Sequence, residues 1–149
     1  MTRHVSPFPI EGPLSPSLDR ALDYWRNLLR GGATVPFADD VDMGRVQELC
    51  GEVFVLGVFQ KPERFRLELA RTPHAPAVER ELQDRFIDDV DLPTPLEFLR
   101  SQAAATTESM APTFYEHRPR AAERGYGRLL LPFWGGGQVS LVLGAVEFR

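Results

Sequence analysis

The sequence has one cysteine and one lysine. Cys50, standing alone, cannot close an internal disulfide, which excludes a disulfide-stapled secreted scaffold and fits a reducing compartment, so a cytoplasmic location is expected. Lys61 is the single lysine among 17 basic residues, a bias read first as high-GC coding and only second as arginine-specific recognition. Neither sign of charge dominates. Seventeen Lys+Arg against 21 Asp+Glu give −4, which exerts no global pull on nucleic acid or anionic lipid. No apolar run approaches the ~20 residues that span a bilayer; the longest nearly apolar stretch is Val139 to Val146. The first sixteen residues hold prolines at 7, 9, 13 and 16 and no signal-peptide core. Neither a nucleic-acid partner nor membrane insertion is expected. The 149 residues suffice for one domain, and a chain of that size buries about 68–70% of its unfolded surface without help from a metal.

Residues 1–16 are expected to form a proline-rich arm, because proline lacks a backbone donor and favours extended chain. The domain proper is expected over 17–149. Its first helix, 17–30, carries Leu18, Ala21, Leu22, Trp25, Leu28 and Leu29 at spacings of three and four, with Ser15 or Ser17 as cap and Gly31-Gly32 as stop. A second helix is expected at 43–50, capped by Asp42 and ended by Gly51. VFVLGVF (53–59) is apolar at both parities, as a strand covered on both faces requires. FRLELA (65–70) alternates, with Phe65, Leu67 and Leu69 on one face. Helical spacing returns at 76–86 through Val78, Leu82 and Phe86, and Thr94-Pro95-Leu96-Glu97 is a capping box opening a helix through Leu96, Phe98 and Leu99. Strands follow at 113–118, 126–133 and 139–148, the last two joined through Gly135-Gly136-Gly137. The expectation is an α+β domain on a five-stranded, mostly antiparallel sheet with helices on its faces, in which 53–59 and 139–148 are central neighbours. The amphipathic first helix then covers the second face of the sheet, or a partner's.

Candidate chemistry is sparse. Two near-repeats, Phe37-Ala-Asp-Asp-Val-Asp-Met and Phe86-Ile-Asp-Asp-Val-Asp-Leu, offer carboxylates to a hard cation, but each precedes a helix, where carboxylates cap free amides, and no metal is assigned. His4, His74 and His117 lack zinc-site spacing. His117 shares strand parity with Tyr115, and His74 sits in a proline-flanked loop. Cys50 reads as a small core residue. Ser101, Ser109 and Ser140 lack a glycine-flanked elbow, so no catalytic residue is named. Arg118, Arg120, Arg124 and Arg128, interleaved with Glu116 and Glu123, read as a solvated hairpin.

Three segments carry a resemblance: ALDYWRNLLRGGATVPFADDVDM, LCGEVFVLGVFQKPERFRLELA and GYGRLLLPFWGGGQVSLVLGAVEF, together spanning about residues 18–149. They resemble the PAS domain superfamily and, within it, the subfamily widespread in alphaproteobacteria, whose Tyr-Trp helix, Gly-Gly and Pro, and Leu-Leu-Leu-Pro strand they share. The middle departs from that pattern, with no glycine between Gly57 and Gly125. The resemblance implies a non-catalytic sensory module of bacterial signal transduction that acts by contact, as a homodimer or on a signalling partner. On that reading Leu18, Leu22, Trp25, Leu28 and Leu29 are the expected contact surface. A small apolar ligand between sheet and middle helices would be lined by Leu67, Phe98, Tyr115, Leu131 and Leu143. No cofactor is named. The enzyme alternative is a cone-shaped α+β fold of ketosteroid-isomerase type, which needs a desolvated acid-base pair.

Overall fold

Two runs that are apolar at both parities end up side by side at the middle of one sheet. The computed structural model describes residues 7–119 and 124–149, so His4, Arg120, Glu123 and the first six residues of the arm lie outside the described residues. The strands are β1 (Glu52–Phe59), β2 (Arg64–Arg71), β3 (Thr113–His117), β4 (Tyr126–Gly135) and β5 (Gln138–Phe148). Their order is β2-β1-β5-β4-β3, with every neighbouring pair antiparallel. Helices α1 (Pro16–Asn27) and α2 (Met43–Cys50) precede the sheet, and α3 (Pro76–Leu82) and α4 (Leu99–Ser109) fall between β2 and β3. The architecture is α+β with a five-stranded antiparallel sheet flanked by helices.

Each face of the sheet has its own core. On the outer face, Leu18, Ala21, Leu22 and Trp25 of α1 and Val46 of α2 pack on Val53, Val55, Leu129, Leu131, Phe133, Leu143 and Ala145. On the inner face, Phe54, Leu56, Phe65, Leu67, Leu130 and Val142 pack against Val78, Leu82, Leu96, Leu99 and Ala103. Alternation along β1 and β4 divides the two sets, as a pleated strand requires. Gly144 opposes Phe54 across β1 and β5, and a side chain there would collide with the Phe54 ring, so only glycine lets that ring lie over the strand.

Helix α2 starts and stops where the sequence places it, with the Asp42 carboxylate accepting from Arg45 N–H at 3.2 Å and Gly51 at φ 83°. Other boundaries shift for physical reasons. Helix α1 ends at Asn27, ahead of Leu28, Leu29 and the Gly-Gly pair, with its last buried residue, Trp25, donating its indole N–H to the Pro132 carbonyl at 2.7 Å. Ser15 occupies the N-cap position, yet its hydroxyl and that of Ser17 donate to Glu147 instead of capping. In β2 the register jumps so that Val55 faces Leu69 and Leu56 faces Leu67. Glu68 is the extra residue of a bulge, and Leu69 therefore packs on the outer core while Phe65 and Leu67 pack on the inner. Helix α3 stops at Leu82, short of the expected Phe86. Asp84, at φ 66°, turns the chain back so that Asp84 N–H donates to the Leu67 carbonyl at 2.6 Å and Leu67 N–H to the Arg85 carbonyl at 2.9 Å. The bonding groups of an edge strand are satisfied this way.

Candidate functional site

The polar heart of the molecule is built on alternate positions of β4. Leu129 and Leu131 face the outer core, so Arg128 shares the inner face with Tyr126 and Leu130. Arg128 is fully buried. Its Nε donates to Gln102 Oε1 at 2.8 Å, and its two terminal nitrogens donate to the carbonyls of Pro95 at 2.9 Å and Glu97 at 2.8 Å. The guanidinium lies 4.8 Å from the centre of the Tyr115 ring. Each of these hydrogen bonds therefore ends on a neutral acceptor. Burial lowers the guanidinium to about 10, with Tyr126, Tyr115 and Glu97 pulling the other way, and it remains charged at neutral pH.

Supporting groups are satisfied in turn. Gln102, buried on α4, donates to Thr113 Oγ1 at 3.1 Å and to the Arg128 carbonyl at 3.2 Å. Thr106 donates to the Gln102 carbonyl at 2.8 Å and sits 2.7 Å from the Thr113 hydroxyl. The Glu97 carboxylate accepts from Tyr126 OH at 2.9 Å and Thr94 OH at 2.8 Å. Burial pushes Glu97 up, but its own backbone amide, the Thr94 and Tyr126 hydroxyls and His117 outweigh it and hold the carboxyl below its usual range. Burial and then the bond to Glu97 push the Tyr126 phenol strongly upward. His117 stacks on Tyr126, with ring centres 5.0 Å apart, and its Nδ1 is 3.4 Å from Tyr115 OH. A closed set of donors and acceptors of this kind rigidifies what it joins.

What it joins is the segment before α4. The capping-box contact of Thr94 with Glu97 forms, yet the helix begins at Leu99, because Arg128 takes the Pro95 and Glu97 carbonyls and Phe98 adopts φ 59°. Phe98 is consequently turned outward, 66% exposed, its ring 6.0 Å from Tyr115.

The five residues expected to line one cavity are not brought together. Leu67 and Tyr115 lie on the inner face, Phe98 points to solvent, and Leu131 and Leu143 lie beneath α1 on the outer face. The parity of β4 and β5 decides this, since Leu130 and Val142 are their inner neighbours. The expected contact surface is likewise turned inward: Leu18, Leu22 and Trp25 are buried on the chain's own sheet, and Leu28 and Leu29 are half-buried at its margin. Of the two covers that the stripe of α1 suits, the structure uses its own sheet.

The carboxylate repeats fold alike, each as a short 3-10 turn, Ala38–Asp40 and Ile87–Asp89. Asp40 pairs with Arg30 at 2.8 Å, Asp88 with Arg100 at 2.7 Å and Asp89 with Arg64 at 2.7 Å. Among the described residues no group of three or more His, Cys, Asp or Glu is placed to hold a metal ion. His74 donates its backbone N–H to Glu52 at 2.9 Å, with its ring Nδ1 at 2.5 Å from the same oxygen. Burial pushes the Cys50 thiol up to about 11, which leaves it protonated and unreactive. Arg128 is the residue that local reading missed, having grouped it with Arg118 and Arg124. Its parity with Tyr126 in an otherwise apolar strand was the available signal.

Comparison with known protein families matches residues 14–147 to a family described as PAS domain. Neither the curated proteins nor the solved structures searched give a match.

Proposed function

The chain belongs to the PAS domain family, and on that premise we propose that it is a non-catalytic sensory or regulatory module of bacterial signal transduction, working in the cytoplasm through contact with another protein. The observation that carries this reading is the filling of the inner face. Between sheet and middle helices, the space in which a PAS module would take a small ligand, Phe54, Leu67, Leu96, Leu99 and Leu130 are fully buried against one another, and Arg128 is bound on three sides by the chain itself. A ligand there would have to displace packed side chains and leave carbonyls without donors, at about 1–3 kcal/mol for each buried group left unpaired. The ketosteroid-isomerase alternative finds less support, since α3 and α4 lie between β2 and β3 rather than ahead of the sheet. Native mass spectrometry of the chain isolated gently from its own cells tests the proposal. The expected spectrum contains the chain in complex with a protein and no small-molecule adduct. A retained apolar metabolite that also raises the melting temperature of the purified chain would overturn the contact reading in favour of a ligand sensor.

A further inference from the structure

Loop 31–37 runs from α1 to β4 and is fastened there by Trp134 N–H donating to the Pro36 carbonyl at 2.8 Å, with Phe37 bridged to Trp134. The opposite wall is Met110, which caps α4 with φ 53° and donates its N–H to the Thr106 carbonyl at 3.0 Å. Between them lies an apolar groove of about 270 Å³ lined by residues including Val35, Phe37, Met110 and Trp134. Phe37 and Met110 are 45% and 41% exposed, two of the four large apolar side chains that the described surface leaves open. Across the Trp134–Met110 saddle a second groove, of about 460 Å³, continues past Thr107, Glu108 and Gln138 to Gln60 and Glu63. The first groove has no charged lining residue; the second has two carboxylates and no cation. Glu63 is taken by Arg100 at 3.6 Å and Thr107 at 3.0 Å, whereas Glu108 is exposed and makes no ion pair among the described residues.

The geometry points to this double groove as the docking site for a segment of a partner protein that carries an aromatic or branched apolar anchor a few residues from an arginine or lysine. The apolar half is large enough for one such anchor, and Trp, Phe and Met are the side chains that interface cores favour, methionine because it adapts to the shape of what it meets. The carboxylate half selects the sign of the neighbouring residue. Charge complementarity also decides against a second copy of this chain: a two-fold contact places a patch on itself, and this patch offers the unpaired carboxylate of Glu108 no cation of its own to meet. Neither groove is enclosed, which suits a chain segment better than a small molecule that must be largely buried.

This inference rests on the contact reading proposed above, and the test separates the two. A photo-crosslinking residue replaces Phe37 in the groove or Arg26 on the exposed face of α1, in the full chain expressed in its own cells, and each adduct is mapped by mass spectrometry. Expected is an adduct from position 37 whose partner peptide contains an apolar anchor near a basic residue. A synthetic copy of that peptide should bind the purified chain and lose at least tenfold in affinity with Glu108→Lys, an exposed substitution that leaves the fold intact, and with Trp134→Ala. A mapped segment that is acidic, or whose affinity ignores Glu108→Lys, overturns the groove. Adducts from position 26 alone overturn the groove and leave the contact reading standing; adducts from neither position overturn both.

Discussion

The two faces of the sheet are covered by helices in opposite styles. On the outer face, α1 seals a layer of apolar side chains, with the Trp25 indole donating to the Pro132 carbonyl in its interior and Ser15 and Ser17 donating to Glu147 at its edge. On the inner face, an arginine is carried into the core and its guanidinium donates to three uncharged acceptors, the Gln102 side-chain oxygen and the Pro95 and Glu97 carbonyls. Burying apolar area needs only the right spacing, so the outer layer is specified by composition and tolerates imprecision. A buried guanidinium needs particular acceptors at particular places, so the inner layer is specified by geometry. The difference shows how a short stretch, Pro95 to Phe98, is held out of the helix that its capping box announces.

Arg128→Ala should give the largest effect. It takes the donors from three acceptors at once, and each buried group left unpaired typically costs about 1–3 kcal/mol. Denaturant unfolding should show that loss, with the m-value unchanged. The double variant Arg128→Met with Gln102→Leu should recover only the share due to the Gln102 side-chain oxygen, because the Pro95 and Glu97 carbonyls stay without their donor. If the single variant lost under about 1 kcal/mol, the inner face would be no more demanding than the outer.

Leu22→Ala on the outer face follows, at about 2–5 kcal/mol for truncating a buried leucine. Here the cost is a cavity, and volume-conserving Leu22→Met should return most of the stability, as such swaps usually cost less than about 1.5 kcal/mol. The contrast lies in the rescue: shape alone should repair the outer face, while on the inner face no apolar replacement supplies the Pro95 and Glu97 carbonyls with a donor.

How legible each face was from the sequence follows from the same contrast. The stripe of α1 and the double-sided runs of β1 and β5 are local patterns, and the helix, the central strands and the strand count could all be read from them. The partners of Arg128 are Pro95, Glu97 and Gln102, which lie 26 to 33 residues away. No periodicity within YGRLLLPF identifies them, and neighbouring Arg124 and Arg118 made a solvated cluster the simpler reading. The bulge at Glu68 was invisible for a similar reason. It inserts one residue into an alternation and moves Leu69 to the other face without altering the residue pattern. Expected cavity residues failed together because their faces depend on such register, and the late start of α4, set by Arg128, turned Phe98 outward.

Acid should act on both faces, and more weakly than either truncation. Glu97 on the inner side and Glu147 on the outer are each pushed up by burial, but hydroxyl hydrogen bonds, from Thr94 and Tyr126 or from Ser15 and Ser17, are among the opposing contributions that bring both below their usual 4.5. A carboxylate depressed in the folded state stabilises fully above its unfolded value and loses that contribution as pH falls through the folded one. Stability measured from pH 7 downward should therefore hold and then decline below about 4.5. Glu97→Gln and Glu147→Gln should each flatten that decline, additively, since the two groups lie on opposite faces. A decline left unchanged by both would assign acid sensitivity to the surface pairs.

Phe98→Gly should have the smallest effect, and its sign is informative. The residue sits at φ 59°, a conformation that costs a side chain roughly 1–2 kcal/mol and that glycine adopts freely. Glycine surrenders roughly 0.5–1 kcal/mol of that gain through the entropy of the unfolded chain, and the exposed ring forfeits only its contact with Tyr115. The sum is near zero, so melting temperature should hardly move. A loss on the scale of a buried aromatic would mean that Phe98 is covered in solution, turned inward beside Tyr115 or sheltered by a partner. A gain would show that the left-handed turn is imposed by Arg128 against the preference of the residue occupying it, and Arg128→Ala should then cost less in the Phe98→Gly background.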